Sequence, residues 1–323
     1  MNEAEAKSIA AAGKQISDNI EKIIVGKSRI IELVLVSIFC EGHILLEDVP
    51  GIGKTMLARS VARSLKCQFR RIQCTPDLLP SDITGNYIFN QKTSDFEFRP
   101  GPVFTQIVLA DEINRATPRS QSALLEAMEE RQVTLEGETR QLPRPFLVLA
   151  TQNPVELEGT FPLPEAQMDR FLMKLKIGYT NESEDSLILE RFVQHNPIEE
   201  LQPVIDAEEV IKLQKACRQV LVNLDIQKYI IQLVRATREQ PHIELGASPR
   251  AMLGLYRTSQ ALAALRGRAF VIPDDVKYLA PFVMAHRIIP EASVSLKGGR
   301  GEDIVQAVLK SVPAPVESEG DTL

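Results

Sequence analysis

One short segment determines the architecture that we expect for this chain, and it reads Leu45-Leu46-Glu47-Asp48-Val49-Pro50-Gly51-Ile52-Gly53-Lys54-Thr55. An apolar run, a tight Gly/Pro turn and Gly-Lys-Thr, in that order, predict a strand, a phosphate-binding loop and a helix start. Lys54 can reach the β- and γ-phosphates, the Thr55 hydroxyl can hold Mg²⁺, and the helix N-terminus favours an anion. The strict pattern G-x-x-x-x-G-K-[ST] fails at its first position, where Asp48 stands. Taken by itself, this segment could therefore still be a chance match in a surface loop.

A second segment carries the other half of a nucleotide site, and it reads Gln106-Ile107-Val108-Leu109-Ala110-Asp111-Glu112. An acid at the end of a strand beside a phosphate loop can bind the Mg²⁺ of a nucleotide. A second acid, one residue later, can orient and activate a water molecule. The alternative is a strand that ends in a solvated acidic turn. Following Gly-Lys-Thr, the pair predicts Asp111 as a metal ligand and Glu112 as a base.

The composition of the 323-residue chain allows two domains with sizeable cores. Apolar residues make up 44% of the chain, and the net charge of −6 gives no overall field that attracts nucleic acid or acidic membrane. The N-terminal region predicts an amphipathic helix through Ile16, Ile20, Ile23 and Ile24 rather than a signal peptide. The chain has no run of about 18 apolar residues, so we expect no membrane-spanning helix.

The cysteines and histidines give no metal-binding pattern. The four cysteines form no Cys-x-x-Cys pair, so we expect reduced core thiols and a cytoplasmic location, with a metal site as the alternative. The four histidines are scattered, which favours structural or surface roles. These residues are Cys40, Cys67, Cys74, Cys217, His43, His195, His242 and His286.

Strand and helix patterns alternate through residue 180, which is typical of an α/β fold with a parallel sheet. The candidate strands are His43–Glu47, Phe69–Gln73, Gln106–Ala110, Phe146–Thr151 and Phe171–Ile177. Candidate helices follow Thr55 and span Ser120–Arg131. The polar run Asn181–Asp185 predicts a boundary, beyond which the pattern is helical only, over Glu208–Val220, Ile226–Arg238, Ser248–Leu265 and Pro273–His286. We therefore expect a core over residues 1–180, a helical domain over 181–312 and a disordered acidic tail over 313–323.

Two further stretches predict β-hairpins inserted into this core. Asn86–Phe104 holds two alternating runs around a polar tip at Gln91–Ser94, and Gln132–Arg144 holds two runs around Glu136-Gly137-Glu138. An isolated hairpin is often a plain surface excursion. Two hairpins in one nucleotide-binding core instead indicate a working surface.

Together, these segments resemble the MoxR family of AAA+ ATPases over about residues 15–312. Asp48 does not count against this, because the family's phosphate loop has the same form. The resemblance extends to Ala110–Ala116 with Gln121–Glu130, to Ala150–Pro154 at the sensor 1 strand end, to Leu163–Phe171 in the arginine-finger segment, and to Ala247–Ala251 at sensor 2. The two hairpins are similar to insertions that this AAA+ branch shares with MCM helicases and magnesium chelatase.

The resemblance implies an AAA+ module, with an αβα core around a five-stranded parallel sheet, two inserted hairpins and an all-α lid. ATP and Mg²⁺ would bind in the cleft between core and lid, with Thr55 and Asp111 on the metal. Val25 and Gly26 lie in a segment that is similar to the one lining the adenine. The phosphate loop itself would bind nucleotide through Val49, Pro50, Gly51, Ile52, Gly53, Lys54, Thr55 and Met56.

Three further residues would complete the chemistry. Asn153 would position the attacking water, unless it only turns a loop before Pro154. Arg170 would complete the site of a neighbouring subunit as an arginine finger, and the alternative is an ion pair with Asp169 or Glu165. Arg250, in the first turn of a lid helix that Ser248 and Pro249 begin, would neutralise phosphate charge. Arg115 suits an intersubunit or structural ion pair better than chemistry.

The resemblance implies hydrolysis of ATP to ADP and phosphate by a hexameric ring. In the family this powers chaperone-like remodelling or maturation of client proteins, often with a von Willebrand factor A domain partner. A nucleic-acid motor is the second hypothesis, because MCM helicases use similar hairpins on DNA. The hairpins of this chain lack a basic, aromatic stripe, and nucleic acid is therefore not an expected partner. A small-molecule kinase, the third hypothesis, explains neither Arg170 nor the hairpins.

Overall fold

A computed structural model describes residues 1–49, 51–154, 159–193, 197–295 and 299–315, with the backbone alone for residues 294 and 295. The chain forms two compact units. The larger unit comprises residues 12–214, and the smaller comprises residues 1–11 together with the chain from 215 onward. The predicted boundary at 181–185 falls inside the larger unit, where it begins a helix, and a domain division at residue 180 stays a prediction. Most of the tail predicted to be disordered, residues 316–323, lies outside the described residues.

The strands and helices follow the predicted alternation closely. The strands are β1 (Ile44–Glu47), β2 (Phe69–Gln73), β3 (Gly85–Asn90), β4 (Asp95–Pro100), β5 (Ile107–Asp111), β6 (Gln132–Leu135), β7 (Glu138–Gln141), β8 (Leu147–Gln152), β9 (Met173–Leu175), β10 (Ile243–Leu245) and β11 (Ile289–Pro290). The helices are α1 (Glu3–Glu21), α2 (Ser28–Phe39), α3 (Lys54–Ser64), α4 (Pro80–Thr84), α5 (Pro118–Glu130), α6 (Glu165–Met168), α7 (Glu182–Phe192), α8 (Ala207–Cys217), α9 (Leu224–Glu239), α10 (Pro249–Leu265), α11 (Pro273–Met284), α12 (Ala292–Ser295) and α13 (Gly301–Ser311).

The larger unit is built on a five-stranded parallel sheet in the order β2-β5-β8-β1-β9, which confirms the predicted fold class. The three central strands are buried until their last residue and are apolar up to that point except for Thr151 in β8, as expected for strands covered on both faces. Polar residues begin where these strands end. Ligands of such sheets bind beyond the carboxyl ends of the strands, so this edge positions the site.

A buried histidine ties the start of β1 to its neighbours. His43 Nδ1 accepts a hydrogen bond from the Val148 amide at 3.0 Å, so Nε2 carries the proton and donates to the Met128 carbonyl at 3.0 Å. Burial lowers the pKa of His43 to about 4. The predicted structural role of this histidine is confirmed.

Both predicted hairpins are present in the larger unit. The first hairpin pairs β3 with β4 in continuous register from Gly85↔Pro100 to Asn90↔Asp95. The second hairpin pairs β6 with β7, which are joined by the turn at Glu136 and Gly137. Gly85 is required at the base of the first hairpin, because a Cβ there would lie 2.3 Å from the Arg99 carbonyl oxygen.

The smaller unit is mainly helical, as predicted, and packs the buried faces of α9, α10, α11 and α13. The all-α prediction missed one feature, a short antiparallel pair of β10 and β11. These strands have three and two residues, which is too short for an alternating pattern to show in the sequence.

The described part of the chain contains no helix that is long and apolar enough to cross a membrane. The four cysteines are free thiols, as predicted. Burial raises the pKa of Cys67, Cys74 and Cys217 to about 12, which keeps these three thiols protonated and unreactive.

Candidate nucleotide site

The loop between β1 and α3 has the geometry of an anion-binding turn. Gly51 and Gly53 have φ angles of 85° and 87°, a conformation that glycine adopts most readily. A Cβ at either glycine would meet nothing within 4 Å, so both backbones face open space. Gly53 is the N-cap of α3, and the loop therefore opens onto a helix N-terminus. Pro50 lies outside the described residues.

A cavity of about 260 Å³, here called the polar cavity, adjoins this loop. It brings together Lys54, Thr55, Asp111, Glu112 and Asn153, which come from three separate segments of the chain and which the sequence assigned to phosphate, metal and water. Its lining consists of Gly51, Gly53, Lys54, Thr55, Met56, Arg71, Asp111, Glu112 and Asn153. Asn153 comes directly after β8, which pairs with the strand that ends at Asp111.

Lys54 donates to the backbone carbonyl of Asp48, with Nζ 2.7 Å from the oxygen. Burial lowers the pKa of Lys54, and Asp48, Asp111 and Glu112 oppose that shift. A half-buried ammonium that donates to a neutral carbonyl gains energy when it meets an anionic phosphate.

The two acids at the end of β5 are held by neighbours on both sides. Asp111 Oδ1 accepts from the Thr151 hydroxyl at 2.6 Å, and Oδ2 accepts from Arg71 Nη2 at 2.5 Å. The Thr151 hydroxyl also accepts from the Glu112 amide at 2.8 Å. Glu112 Oε2 lies 3.4 Å from Gln73 Nε2. Arg71, Gln73 and Thr151 thus orient the two carboxylates.

The backbone of Glu112 is in the left-handed region, with φ 57° and ψ 52°. This conformation is uncommon for a residue other than glycine, and the surrounding hydrogen bonds must hold it in place. Arg115 donates to Glu112 Oε2 at 3.1 Å. Arg115 therefore forms an ion pair within the chain, and Glu112 is fixed at the end of the strand.

A second cavity of about 310 Å³, here called the apolar cavity, shares Gly51, Gly53 and Met56 with the polar cavity. Its lining is otherwise mostly apolar and consists of Ile23, Ile24, Val25, Lys27, Ile30, Ile52, Leu57, Ile177, Gly178, Tyr179, Thr180, Ile188 and Phe192. A flat, weakly polar base fits such a lining. The predicted residues Val25 and Ile52 belong to it, whereas Gly26 and Val49 line neither cavity.

Gly26 has a different role beside the apolar cavity. Its φ angle is 71°, and a Cβ there would lie 2.0 Å from Glu184 Oε1. Gly26 therefore allows α7 to pack closely against the segment that contributes Val25.

Of the two predicted arginines, Arg170 belongs to the larger unit and lines neither cavity. Arg170 Nε is 2.8 Å from Glu129 Oε2 on α5. An intrachain ion pair thus exists, although its partner is neither Asp169 nor Glu165, the two acids named from the sequence. Arg250 lies in the first turn of α10 in the smaller unit, where its amide donates to the Ser248 side chain at 3.2 Å. The predicted N-cap is confirmed, and the catalytic roles of both arginines stay predictions.

The donor set suits magnesium better than a protein-enclosed metal. Thr55 and Asp111 place a hydroxyl and a carboxylate in the polar cavity, and Mg²⁺ commonly takes one or two such ligands together with phosphate oxygens and waters. Among the described residues there is no cluster of three or more His, Cys, Asp or Glu side chains that could hold a metal ion.

Comparison with known proteins agrees with this geometry. Residues 43–173 match the family model described as "ATPase family associated with various cellular activities (AAA)", and residues 235–308 match an AAA lid domain. The crystal structure of a candidate ATPase from Cytophaga hutchinsonii superposes with a TM-score of 0.91 at 39% identity, covering 97% of this chain and 98% of that one.

Several relatives are similar to this chain along nearly its whole length. The YeaC protein of Bacillus subtilis is 50% identical over 94% of this chain and 95% of its own length. The chaperone MoxR1 of Mycobacterium tuberculosis is 40% identical over 92% of this chain and 80% of its own. The MoxR protein of Methylorubrum extorquens is 32% identical over 94% of this chain and 95% of its own length. The chain therefore belongs to the MoxR family of AAA+ ATPases.

Proposed function

We propose that this chain binds ATP with Mg²⁺ across the two cavities and hydrolyses its γ-phosphate with water. The observation that supports this most strongly is the polar cavity, which gathers Lys54, Thr55, Asp111, Glu112 and Asn153 beside an apolar cavity of suitable size for a base. A triphosphate that spans Gly51 and Gly53 would connect the two cavities.

The phosphate loop would supply binding energy and orientation. Backbone N–H groups at the start of α3 would donate to phosphate oxygens, and Lys54 Nζ would exchange the Asp48 carbonyl for the β- and γ-phosphates. When bound, Mg²⁺ would neutralise phosphate charge, with Thr55 and Asp111 as its protein ligands. The Asp111 oxygen that now accepts from Arg71 would then bind the metal. The other oxygen would keep its hydrogen bond from the Thr151 hydroxyl.

The remaining residues would accept the proton of the attacking water and stabilise the negative charge that develops on the γ-phosphate. Glu112 would accept the proton of the attacking water, and Asn153 would orient that water. Arg170 would reach the γ-phosphate of a neighbouring subunit in a ring, and for this it must leave Glu129. Arg250 would add charge neutralisation from the lid. These assignments make assembly a condition of activity.

For the output, we propose chaperone-like remodelling of client proteins by a hexameric ring, with a von Willebrand factor A domain protein as partner. Support for the chaperone-like class comes from the similarity to the chaperone MoxR1. The hairpins are placed to take part, because the first hairpin precedes β5 and the second precedes β8, the strands that end at Asp111 and before Asn153.

The two hairpins are joined to each other by a polar link. Tyr87 Oη donates to Glu138 Oε2 at 2.7 Å, and Arg140 Nη2 donates to Tyr87 Oη at 3.1 Å. The Arg140 guanidinium also lies 4.4 Å from the centre of the Phe98 ring. This link can move the hairpins together when the strand ends shift.

The end of the first hairpin exposes an apolar pair. Phe89 and Phe96 are 53% and 65% exposed and contact each other edge to face. Asp95 and Glu97 lie beside them. An apolar end whose one basic residue is Lys92 suits a protein target better than nucleic acid.

The experiment that separates remodelling from a nucleic-acid motor measures ATP hydrolysis with and without single-stranded DNA, duplex DNA and RNA at low salt. We expect no stimulation by any of the three, and basal hydrolysis that survives shortening of Gln91–Ser94. Replacing Arg140 with Ala should likewise leave basal hydrolysis nearly intact, because Arg140 lines neither cavity. Strong stimulation that falls with salt and disappears on hairpin shortening would establish the motor instead.

A further inference from the structure

The residue that breaks the strict phosphate-loop pattern makes contacts that glycine could not make. The Asp48 carboxylate accepts hydrogen bonds from the amides of Ile177, through Oδ2, and Gly178, through Oδ1 at 3.3 Å. Its own amide donates to the Gln152 carbonyl at 3.1 Å, and its carbonyl accepts from Lys54. Asp48 therefore connects the phosphate loop with β8 and with the segment that follows β9.

The segment that Asp48 binds, residues 177 and 178, lies beyond the end of the sheet. The last pair in the register between β1 and β9 is Leu46↔Leu175, so the ladder of the sheet ends before Ile177. Gly178 has a φ angle of 70°, which turns the chain, and residues 177–180 then form one wall of the apolar cavity. The Asp48 carboxylate accepts from two consecutive amides that lie beyond the end of this ladder. A second tether of this wall is Lys27, whose Nζ donates to the Tyr179 carbonyl at 2.8 Å.

The same contacts explain why an acid is compatible with a triphosphate nearby. A free carboxylate in a phosphate loop would repel phosphate oxygens. Two N–H donors partly neutralise the charge of Asp48 and hold its oxygens against the wall. The hydrogen bond of Lys54 is to the backbone carbonyl of Asp48, so this bond does not depend on the Asp48 carboxylate.

We propose that Asp48 is a positioning residue that fixes the wall of the apolar cavity to the phosphate loop and so sets the affinity for the base of the nucleotide. This inference rests on the proposed function, because it assigns the apolar cavity to the base. It makes two separate consequences testable. Removing the carboxylate should loosen residues 177 and 178 even without nucleotide, and it should weaken ligands that have a base more than ligands that consist of phosphate alone.

The variants are Asp48→Ala, which removes both acceptors, and Asp48→Asn, which keeps one acceptor oxygen and the size of the side chain. Binding of Mg–ADP and of inorganic tripolyphosphate is measured by calorimetry. We expect Asp48→Ala to weaken Mg–ADP about 10- to 100-fold, the range for losing a charge-assisted hydrogen bond, and to change tripolyphosphate less than about threefold. Asp48→Asn should fall between the wild type and Asp48→Ala, and it carries the test if Asp48→Ala does not fold.

Amide hydrogen exchange on the nucleotide-free protein gives the independent measurement. Peptides that contain residues 177 and 178 should exchange at least about tenfold faster in Asp48→Ala than in the wild type. Lys27→Met, which removes the other tether of the wall, should show the same preference for loss of Mg–ADP over tripolyphosphate. Equal loss of both ligands, or unchanged exchange with unchanged Mg–ADP affinity, would overturn the assignment of Asp48. Wild-type protein that binds neither ligand would contradict the proposed function itself.

Discussion

The Thr151 hydroxyl lies between the two halves of the acidic pair, donating to Asp111 Oδ1 at 2.6 Å while it accepts from the Glu112 amide at 2.8 Å. Thr151 is fully buried, so no solvent competes for these bonds. One hydroxyl thereby sets the rotamer of the proposed metal ligand and stabilises the left-handed backbone of Glu112.

Replacing Thr151 with Val should keep the volume and remove both hydrogen bonds. We expect ATP turnover to fall by about tenfold or more, and a higher Mg²⁺ concentration to be needed for the half-maximal rate. Loss of a residue that hydrogen-bonds to a metal ligand typically lowers metal affinity or activity about 10- to 100-fold. Thr151→Ser keeps the hydroxyl and serves as the control. Equal rates and equal Mg²⁺ dependence for the Val and Ser variants would show that the hydroxyl has no such role.

His43 should make the stability of the protein depend on pH. Burial lowers its folded pKa from 6.5 to about 4, so between these values the unfolded state binds more protons than the folded state. Stability from this group is therefore complete above the unfolded pKa and is lost as pH falls toward about 4. From about pH 7 to about pH 5 the loss should be about 2 kcal/mol of unfolding free energy. Denaturant unfolding across this range, with His43→Gln as the comparison, should show a shallower decrease for the variant. Parallel curves would refute the assignment.

Arg170 should act on a neighbouring subunit. Arg170→Ala should bind ATP but hydrolyse it about 10³-fold more slowly, the lower end of the effect of an arginine finger. Mixing it with Lys54→Ala subunits should restore part of the activity, because an intact site can then meet an intact arginine. Glu129→Gln, which removes only the partner seen within the chain, is the matched control and should retain activity. If co-assembled mixtures never regain activity, Arg170 does not work in trans.

The sequence was sufficient for the strands of the five-stranded sheet, the two hairpins and the residues that follow strand ends. Asp111 and Asn153 could be placed together because parallel strands end at a common edge. Arg71 and Gln73 were missed, since the pattern shows that β2 is a strand but not that it lies next to β5. Thr151 was missed because a hydroxyl at the end of an apolar run is indistinguishable from an ordinary strand residue.

Long-range partners account for the other differences. Arg170 pairs with Glu129, which is distant in sequence, whereas nearby acids were the natural candidates. The cavity wall at residues 177–180 was not predicted, because the hydrogen bonds of Asp48 that shape it span 129 and 130 residues. The local start of α10 at Ser248 and Pro249 was predictable, since helix caps depend on adjacent residues only.

The most direct test of the account compares ATP binding with single-turnover hydrolysis of γ-labelled ATP in the Glu112→Gln protein. The amide side chain cannot accept the proton of the water, whereas Lys54, Thr55 and Asp111 remain to bind Mg–ATP. We predict wild-type ATP affinity with hydrolysis slowed at least about 10²-fold, and loss of binding in the Lys54→Ala comparison. Glu112→Gln protein that binds ATP and hydrolyses it at the wild-type rate would contradict the proposed site.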